Sequence, residues 1–259
     1  MTTMKQQVTI RGIGLMVEKH DDFWRAMAAG QWEESTLDAF DEFLPRAGTF
    51  VDIGGWIGPT SLYAARHCRR IIAFEPDPAA REEFTRNVAL NGLSGIEIRP
   101  EAMSAREGAA RMWDGGSGQG QSISSLVHGR GTPFSVNTMT PAQLRGLIGP
   151  EETYFIKMDI EGGEYDVGSA ISPLLGPGLV GALIAFHPSF LGGLGLFRPF
   201  RSFPKALAVF RQFRDFDIYR LTATGRRRAR VRQMLTRLGL PLFEAKDSYL
   251  FIPRQGGMM

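Results

Sequence analysis

Two stretches of this chain hold residues whose types and spacing could do chemistry. The first is residues 51–58 (VDIGGWIG), lying between a predicted strand and a predicted helix. Glycines at such a turn let the backbone approach a ligand closely, and the start of a helix offers unpaired amides to an anionic group. A dinucleotide fingerprint ending at Gly58 would need glycine where Ile53 stands, and a phosphate-binding loop would need a following Gly-Lys-Ser/Thr, so both patterns fail. The second stretch gathers acids and an imidazole: Asp159, Glu161 and Glu164 in MDIEGGE, and His187 at the end of a later apolar run. Imidazole titrates near neutral pH, and open α/β sheets place ligands at the ends of core strands. His187 is therefore the first candidate for a general base, with Glu161 and Glu164 next. A structural histidine under the Pro188 turn, and carboxylates that merely charge a helix N-terminus, are the alternatives. Asp159, Glu161 and His187 are also donors that a divalent ion accepts. Spacing does not separate that case from a dry site, and no metal is assigned.

The elements that must position these groups follow from periodicity. Phe23, Ala26 and Met27, then Leu37, Phe40, Phe43 and Leu44, recur at helical spacing. The pattern then changes at Ala47-Gly48. Residues 49–53 read as a strand, 61–68 as a helix, 71–75 as a strand and 78–91 as a helix stopped by Gly92. Alternation of this kind implies crossover units and a parallel sheet. Further strands are predicted at 96–99, 110–113, 134–139, 154–160 and 179–186, with helices opening at Thr140-Pro141 and spanning 164–175 and 204–213. Strands at 217–222 and 248–252 could pair antiparallel. Residues 114–131 (DGGSGQGQSISSLVHGRG) are too long for a simple connector and read either as a surface excursion or as a flap over a site.

Four ordered segments carry a resemblance: FVDIGGWIGPTSLYAA (50–65), IIAFEPDPAAREEFTRNVALNG (71–92), FIKMDIEGGEYDVGSA (155–170) and AFHPSF (185–190). Together they closely resemble the FkbM-type methyltransferases, over roughly residues 30–190, with SYLFIP (248–253) resembling that family's closing strand. The resemblance implies an α/β, class I methyltransferase (Rossmann-like) fold, a seven-stranded mostly parallel sheet with helices on both faces and its last strand inserted antiparallel. It implies S-adenosyl-L-methionine as cofactor. Carried over by position, Asp52, Gly54 and Gly58 would line the methionine part, Glu75 the ribose, Pro76 and Asp77 its surroundings, and Glu101 and Ala102 the adenine, while Asp159 would face the sulfonium and the acceptor. His187, Glu161 and Asp159 are the catalytic candidates. Two departures stand out: Gly55-Trp56 replaces the family's Ala-Asn, and Ala185 replaces the glutamate of its Glu-x-His-Pro.

Composition limits the remaining readings. The chain has 259 residues with 43% hydrophobic and 22% charged, so it is long enough for a real core. It is expected to be one domain, a helical lead over 1–47 followed by the methyltransferase domain over 48–259. A single cysteine, Cys68, excludes a disulfide framework. The segment 167–197 lacks Lys, Arg, Asp and Glu, yet its prolines and glycines break any membrane helix. No signal-peptide pattern opens the chain, and a cytoplasmic protein is expected. The formal charge of +3 conceals −7 over residues 1–197 and +10 over 198–259, where Arg226, Arg227, Arg228, Arg230 and Arg232 cluster. The expected activity is O-methylation of a small hydroxylated metabolite or sugar. A binding protein without turnover follows if Trp56 and Ala185 abolish catalysis, and an RNA methyltransferase follows if the basic segment holds phosphates; nucleic acid is not the partner assigned.

Overall fold

The computed structural model describes residues 4–20, 22–122, 124–127, 129–188, 198–230 and 246–254. Alternating apolar residues open the chain with a hairpin, β1 (Lys5–Ile10) and β2 (Ile13–Glu18). Arg11 and Gly12 join them with φ of 49° and 82°, the backbone that a two-residue type I′ turn requires. Helices α1 (Phe23–Ala28) and α2 (Glu34–Phe43) follow, burying Trp24, Met27, Leu37, Phe40 and Phe43. The lead is thus a hairpin and then helices. Only the helical half carried a long enough period to be read.

Strand and helix then alternate: β3 (Thr49–Ile53), α3 (Pro59–Ala64), β4 (Arg70–Phe74), α4 (Pro78–Leu90) and β5 (Ile96–Arg99). Asp77 caps α4 by accepting from the amides of Ala79 and Ala80, with Pro78 in the first turn. A small side sheet follows, β6 (Ala102–Met103), β7 (Gly108–Trp113) and β8 (Pro133–Met139), in the order β6-β8-β7. Thr140 and Gln143 form a capping box at the start of α5 (Pro141–Ile148). Next come β9 (Tyr154–Met158), α6 (Glu164–Ser169), β10 (Leu179–Phe186), α7 (Arg198–Gln212), β11 (Phe216–Thr222), β12 (Gly225–Arg228) and β13 (Asp247–Pro253). The helix expected over 164–175 ends at Ser169, and a 3-10 turn at Ser172–Leu174 covers the rest.

The main sheet runs β12-β11-β13-β10-β9-β3-β4-β5. It corrects the expected seven-stranded, mostly parallel sheet: among the described residues there are eight strands, and the sheet is mixed. β5, β4, β3, β9 and β10 are parallel, while β13 lies antiparallel between β10 and β11 and β12 pairs antiparallel with β11. The additional strand is the returning arm of a hairpin through Thr222–Gly225, whose Gly-Arg-Arg-Arg sequence gives no apolar alternation to read. Both faces are covered, so every residue of β3 and β9 is buried. Val51, Ile53, Ile156 and Met158 pack with α5, α6 and α7, whereas Phe50, Phe155 and Leu183 pack with α1, α2, α3 and the hairpin. Cys68 is buried, and burial pushes its thiol up to about 11. Among the described residues no helix is long and apolar enough to cross a membrane.

Candidate active site

The carboxyl ends of β3, β4 and β9 open on a solvent-exposed cleft lined by residues of all three following loops. One wall is the turn after β3. Gly54 has φ 88°, and a side chain there would put a Cβ 2.0 Å from the Asp159 carbonyl, so the loops after β3 and β9 touch only because this residue is glycine. Gly58, at φ 97°, abuts the Phe84 ring in the same way. Beneath the turn, Asp52 is fully buried. Its Oδ2 accepts from the hydroxyls of Thr60 (2.6 Å) and Ser61 (2.7 Å), and Oδ1 lies 3.3 Å from the Lys157 ammonium. Lys157, the β9 residue in register with Asp52, also donates to the Gly54 carbonyl at 2.9 Å.

Glu75, just past β4, closes this wall. Its two oxygens accept from the backbone amides of Trp56 (2.7 Å) and Asp77 (2.8 Å). Burial raises its pKa to about 7 against the pull of those amides. A smaller adjoining pocket shares Gly54, Pro76, Met112 and Ile160 with the main cleft and adds Glu101 and Ala102.

The opposite wall is a cluster of charges. His187 Nδ1 lies 2.9 Å from Glu164 Oε1, and its Nε2 lies 3.6 Å from Asp159 Oδ1 and 3.7 Å from Glu161 Oε1. Glu164 is fully buried and also accepts from the amides of Ile160 (3.0 Å) and Gly162 (2.9 Å), so it holds the turn and the imidazole together. Burial opposes charge on His187, yet the Glu164 hydrogen bond and the three carboxylates prevail and lift it to about 9. Burial, opposed by His187 and reinforced by Asp159 and Glu164, raises Glu161 to about 7. Asp159 is held well below the usual carboxylate range because Lys246, Lys157 and His187 outweigh its burial.

Lys246 was not anticipated. It enters just before β13, where its ammonium meets Asp159 Oδ2 at 2.7 Å and also contacts Glu33. Nothing in the sequence marks Glu33 or Lys246, which lie 213 residues apart and meet only in the fold. Lys157 had a signal in hindsight, as the lone cation in an otherwise apolar core strand. Among the described residues four non-glycines have positive φ. Three of them, Glu33 (43°), Trp56 (48°) and Glu161 (51°), line this cleft. Such backbones cost of order 1–3 kcal/mol each and gather at functional sites.

The predicted site residues therefore separate into two groups. Gly54, Glu75, Pro76, Asp159 and Glu161 line the main cleft, with Glu101 and Ala102 in the adjoining pocket and His187 directly behind Asp159 and Glu161. Asp52, Gly58 and Asp77 line neither pocket and instead hold the surrounding backbone. Asp77 Oδ2 also accepts from the Gly120 amide (3.1 Å) and the Ser124 hydroxyl (2.9 Å). Trp56 donates from Nε1 to the Gly120 carbonyl (2.9 Å) and presents its ring edge-on to His20 and Phe23. With Ser125 Oγ donating to the Glu161 carbonyl (2.7 Å), the loop over 114–131 is pinned across the cleft as a lid. His128, Ser189 and Arg232 lie outside the described residues.

The model of the methyltransferase FkbM domain matches residues 52–167. Over that stretch, somewhat under half of its length, the chain is similar to FkbM-type methyltransferases. The match spans both the glycine turn and the carboxylates after β9. No curated protein matches the chain. Among solved structures it is similar to an SAM-dependent methyltransferase from Agrobacterium tumefaciens (9% identity, 96% of this chain and 70% of that one, TM-score 0.49). It is also similar to an rRNA methylase from Streptococcus thermophilus (10%, 86% and 99%, 0.46). A third likeness is to a methyltransferase FkbM from Methylobacillus flagellatus (15%, 90% and 55%, 0.41), of whose length the chain spans about half.

Proposed function

We propose that this methyltransferase moves a methyl group from S-adenosylmethionine to a hydroxyl oxygen of a small metabolite or sugar. The observation that carries this reading is one cleft with the glycine turn and Glu75 on one wall and Asp159, Glu161 and His187 on the other. The residues fit the cofactor. Glu75 keeps lone pairs for two ribose hydroxyls beyond its amide partners, Gly54 would border the methionine, and Glu101 and Ala102 would border the adenine. Glu101 Oε2 is buried without a hydrogen-bond partner among the described residues, so it retains capacity for an amino group. Asp52, Gly58 and Asp77 act one layer back, by fixing the turn, the helix α4 and the lid.

When bound, the cofactor supplies a methyl group on a sulfonium, whose carbon–sulfur pair stays on sulfur as the new carbon–oxygen bond forms. The chain's own task is to align the acceptor and take its proton. Glu161, on the cleft wall, is the proton acceptor, with His187 held behind it by Glu164. Asp159, one oxygen on Lys246, orients the hydroxyl. Phe23, Trp32 and Trp56 supply an aromatic wall on which a ring can stack. The described basic residues support a small acceptor over RNA, because Arg226 pairs with Glu42 (2.6 Å) and Arg228 with Asp217 (2.7 Å). The test is incubation with methyl-labelled S-adenosylmethionine and a panel of hydroxylated metabolites and sugars beside total RNA. Label in a base-stable ether of a small molecule is expected. Label confined to RNA, or none on any acceptor, would contradict the reading.

A further inference from the structure

We infer that Asp159 Oδ1, Glu161 Oε1 and His187 Nε2 form a site for one divalent cation of the Mn²⁺ or Mg²⁺ kind, which binds the acceptor hydroxyl. One ligand atom from each of these residues lies within 4.8 Å of the others. The imidazole-to-carboxylate separations, 3.6 and 3.7 Å, are too long for direct hydrogen bonds. They suit atoms that share a cation: two ligands each about 2.1–2.4 Å from one ion, at an angle near 100°, lie roughly 3.2–3.7 Å apart.

Two further features support the site. Glu164 is fully buried and lies against His187 Nδ1, so the imidazole turns Nδ1 to Glu164 and presents Nε2 to Asp159 and Glu161, where a bound cation takes the place of the Nε2 proton. A carboxylate behind a histidine in this way is the usual outer support of a metal ligand. The charge balance points the same way. Glu33, Asp52, Asp159, Glu161 and Glu164 surround the spot against Lys157, Lys246 and the His187 imidazole, and a buried excess of negative charge is costly without a counter-ion. Lys246 occupies Asp159 Oδ2 and leaves Oδ1 to the cation.

Three protein ligands leave open positions on a six-coordinate ion. Two neighbouring oxygens of the acceptor fill them well, so the preferred acceptor is a vicinal diol or an α-hydroxy carbonyl compound. The cation holds the hydroxyl oxygen and makes its proton easier to lose, and the second oxygen of Glu161 remains to receive that proton. This inference deepens the proposed activity and rests on it for its substrate class only; the ion site itself is tested without turnover.

The experiment is titration of the full chain with Mn²⁺, after chelator treatment and its removal, followed by electron paramagnetic resonance. One Mn²⁺ per chain is expected, with nitrogen coupling from one imidazole. Glu161→Gln should weaken binding at least tenfold while leaving the thermal unfolding midpoint and S-adenosylmethionine affinity near the wild-type values. His187→Gln should remove the nitrogen coupling; if it does not fold, the Glu161→Gln titration and the wild-type coupling still decide. Absence of saturable Mn²⁺ binding at millimolar concentration, or binding unchanged by Glu161→Gln, would overturn the site. Failure of S-adenosylmethionine binding with intact Mn²⁺ binding would instead overturn the proposed activity.

Discussion

The two walls of the cleft are built on different principles. The wall after β3 and β4 is made of backbone and close packing: Gly54 against the Asp159 carbonyl, Gly58 against Phe84, and Glu75 between two amides. The facing wall is made of side-chain charge, with Asp159, Glu161, Glu164, His187, Lys157 and Lys246 answering one another across loops from distant parts of the chain. The first wall leaves almost no room for added volume, whereas the second depends on how its charges pair. On the function proposed above, the difference teaches that shape holds the cofactor end and electrostatics governs the acceptor end.

Substitutions can break that comparison, beginning with the largest effect. Gly54→Ala places a methyl 2.0 Å from a backbone carbonyl at a left-handed position, and a loss of about 3–5 kcal/mol in denaturant unfolding is expected, the scale of severe steric mutations. A loss below about 1 kcal/mol would show that the two loops separate easily. Glu75→Gln should weaken cofactor binding ~10–100-fold, the worth of about 1.5–3 kcal/mol for hydrogen bonds to a charged group. Because burial raises Glu75 to about 7, the ionised form that accepts from a diol grows as pH rises. Cofactor affinity should therefore climb from pH 6 to pH 8 and level above, and calorimetry on Glu75→Gln should show a flat profile.

Glu161→Gln sharpens the contrast from the other side. It should lower turnover at least tenfold with cofactor affinity unchanged, so a matching loss in both would place Glu161 on the cofactor wall instead. Asp77→Ala removes a helix cap worth about 1 kcal/mol and releases the lid at Gly120 and Ser124. Faster proteolysis within 114–131 is the readout, and unchanged cleavage would mean the lid is held elsewhere. Arg226→Ala should cost under about 1 kcal/mol, as for a solvent-facing ion pair, and should leave small-molecule turnover intact.

How much was legible in the sequence follows the same division. The glycine turn, Glu75, and the cap at Thr140-Pro141 are each written in a few consecutive residues, and they could be read because local backbone geometry dictates local residue type. The order β3-α3-β4-α4 was legible for the same reason, whereas the antiparallel insertion of β13 was implied by the family resemblance. Asp159, Glu161 and His187 were visible as residue types, although their convergence depends on the parallel pairing of β9 with β10. Lys246 and Glu33 were not visible, since the charge that holds Asp159 arrives from a different end of the chain. The β1–β2 hairpin escaped because its strands are only six residues each, too short for their alternation to stand out, and β12 because Gly-Arg-Arg-Arg has none. At Trp56 the departure from the family pattern was plain, but its use as a donor to the lid was not.

The central claim is that the cleft between these walls binds S-adenosylmethionine, and isothermal calorimetry on the full chain tests it most directly. Saturable binding of one molecule per chain, weakened by Glu75→Gln and untouched by Glu161→Gln, is the predicted result. No heat of binding at millimolar cofactor, from a chain shown to be folded by circular dichroism, would contradict it.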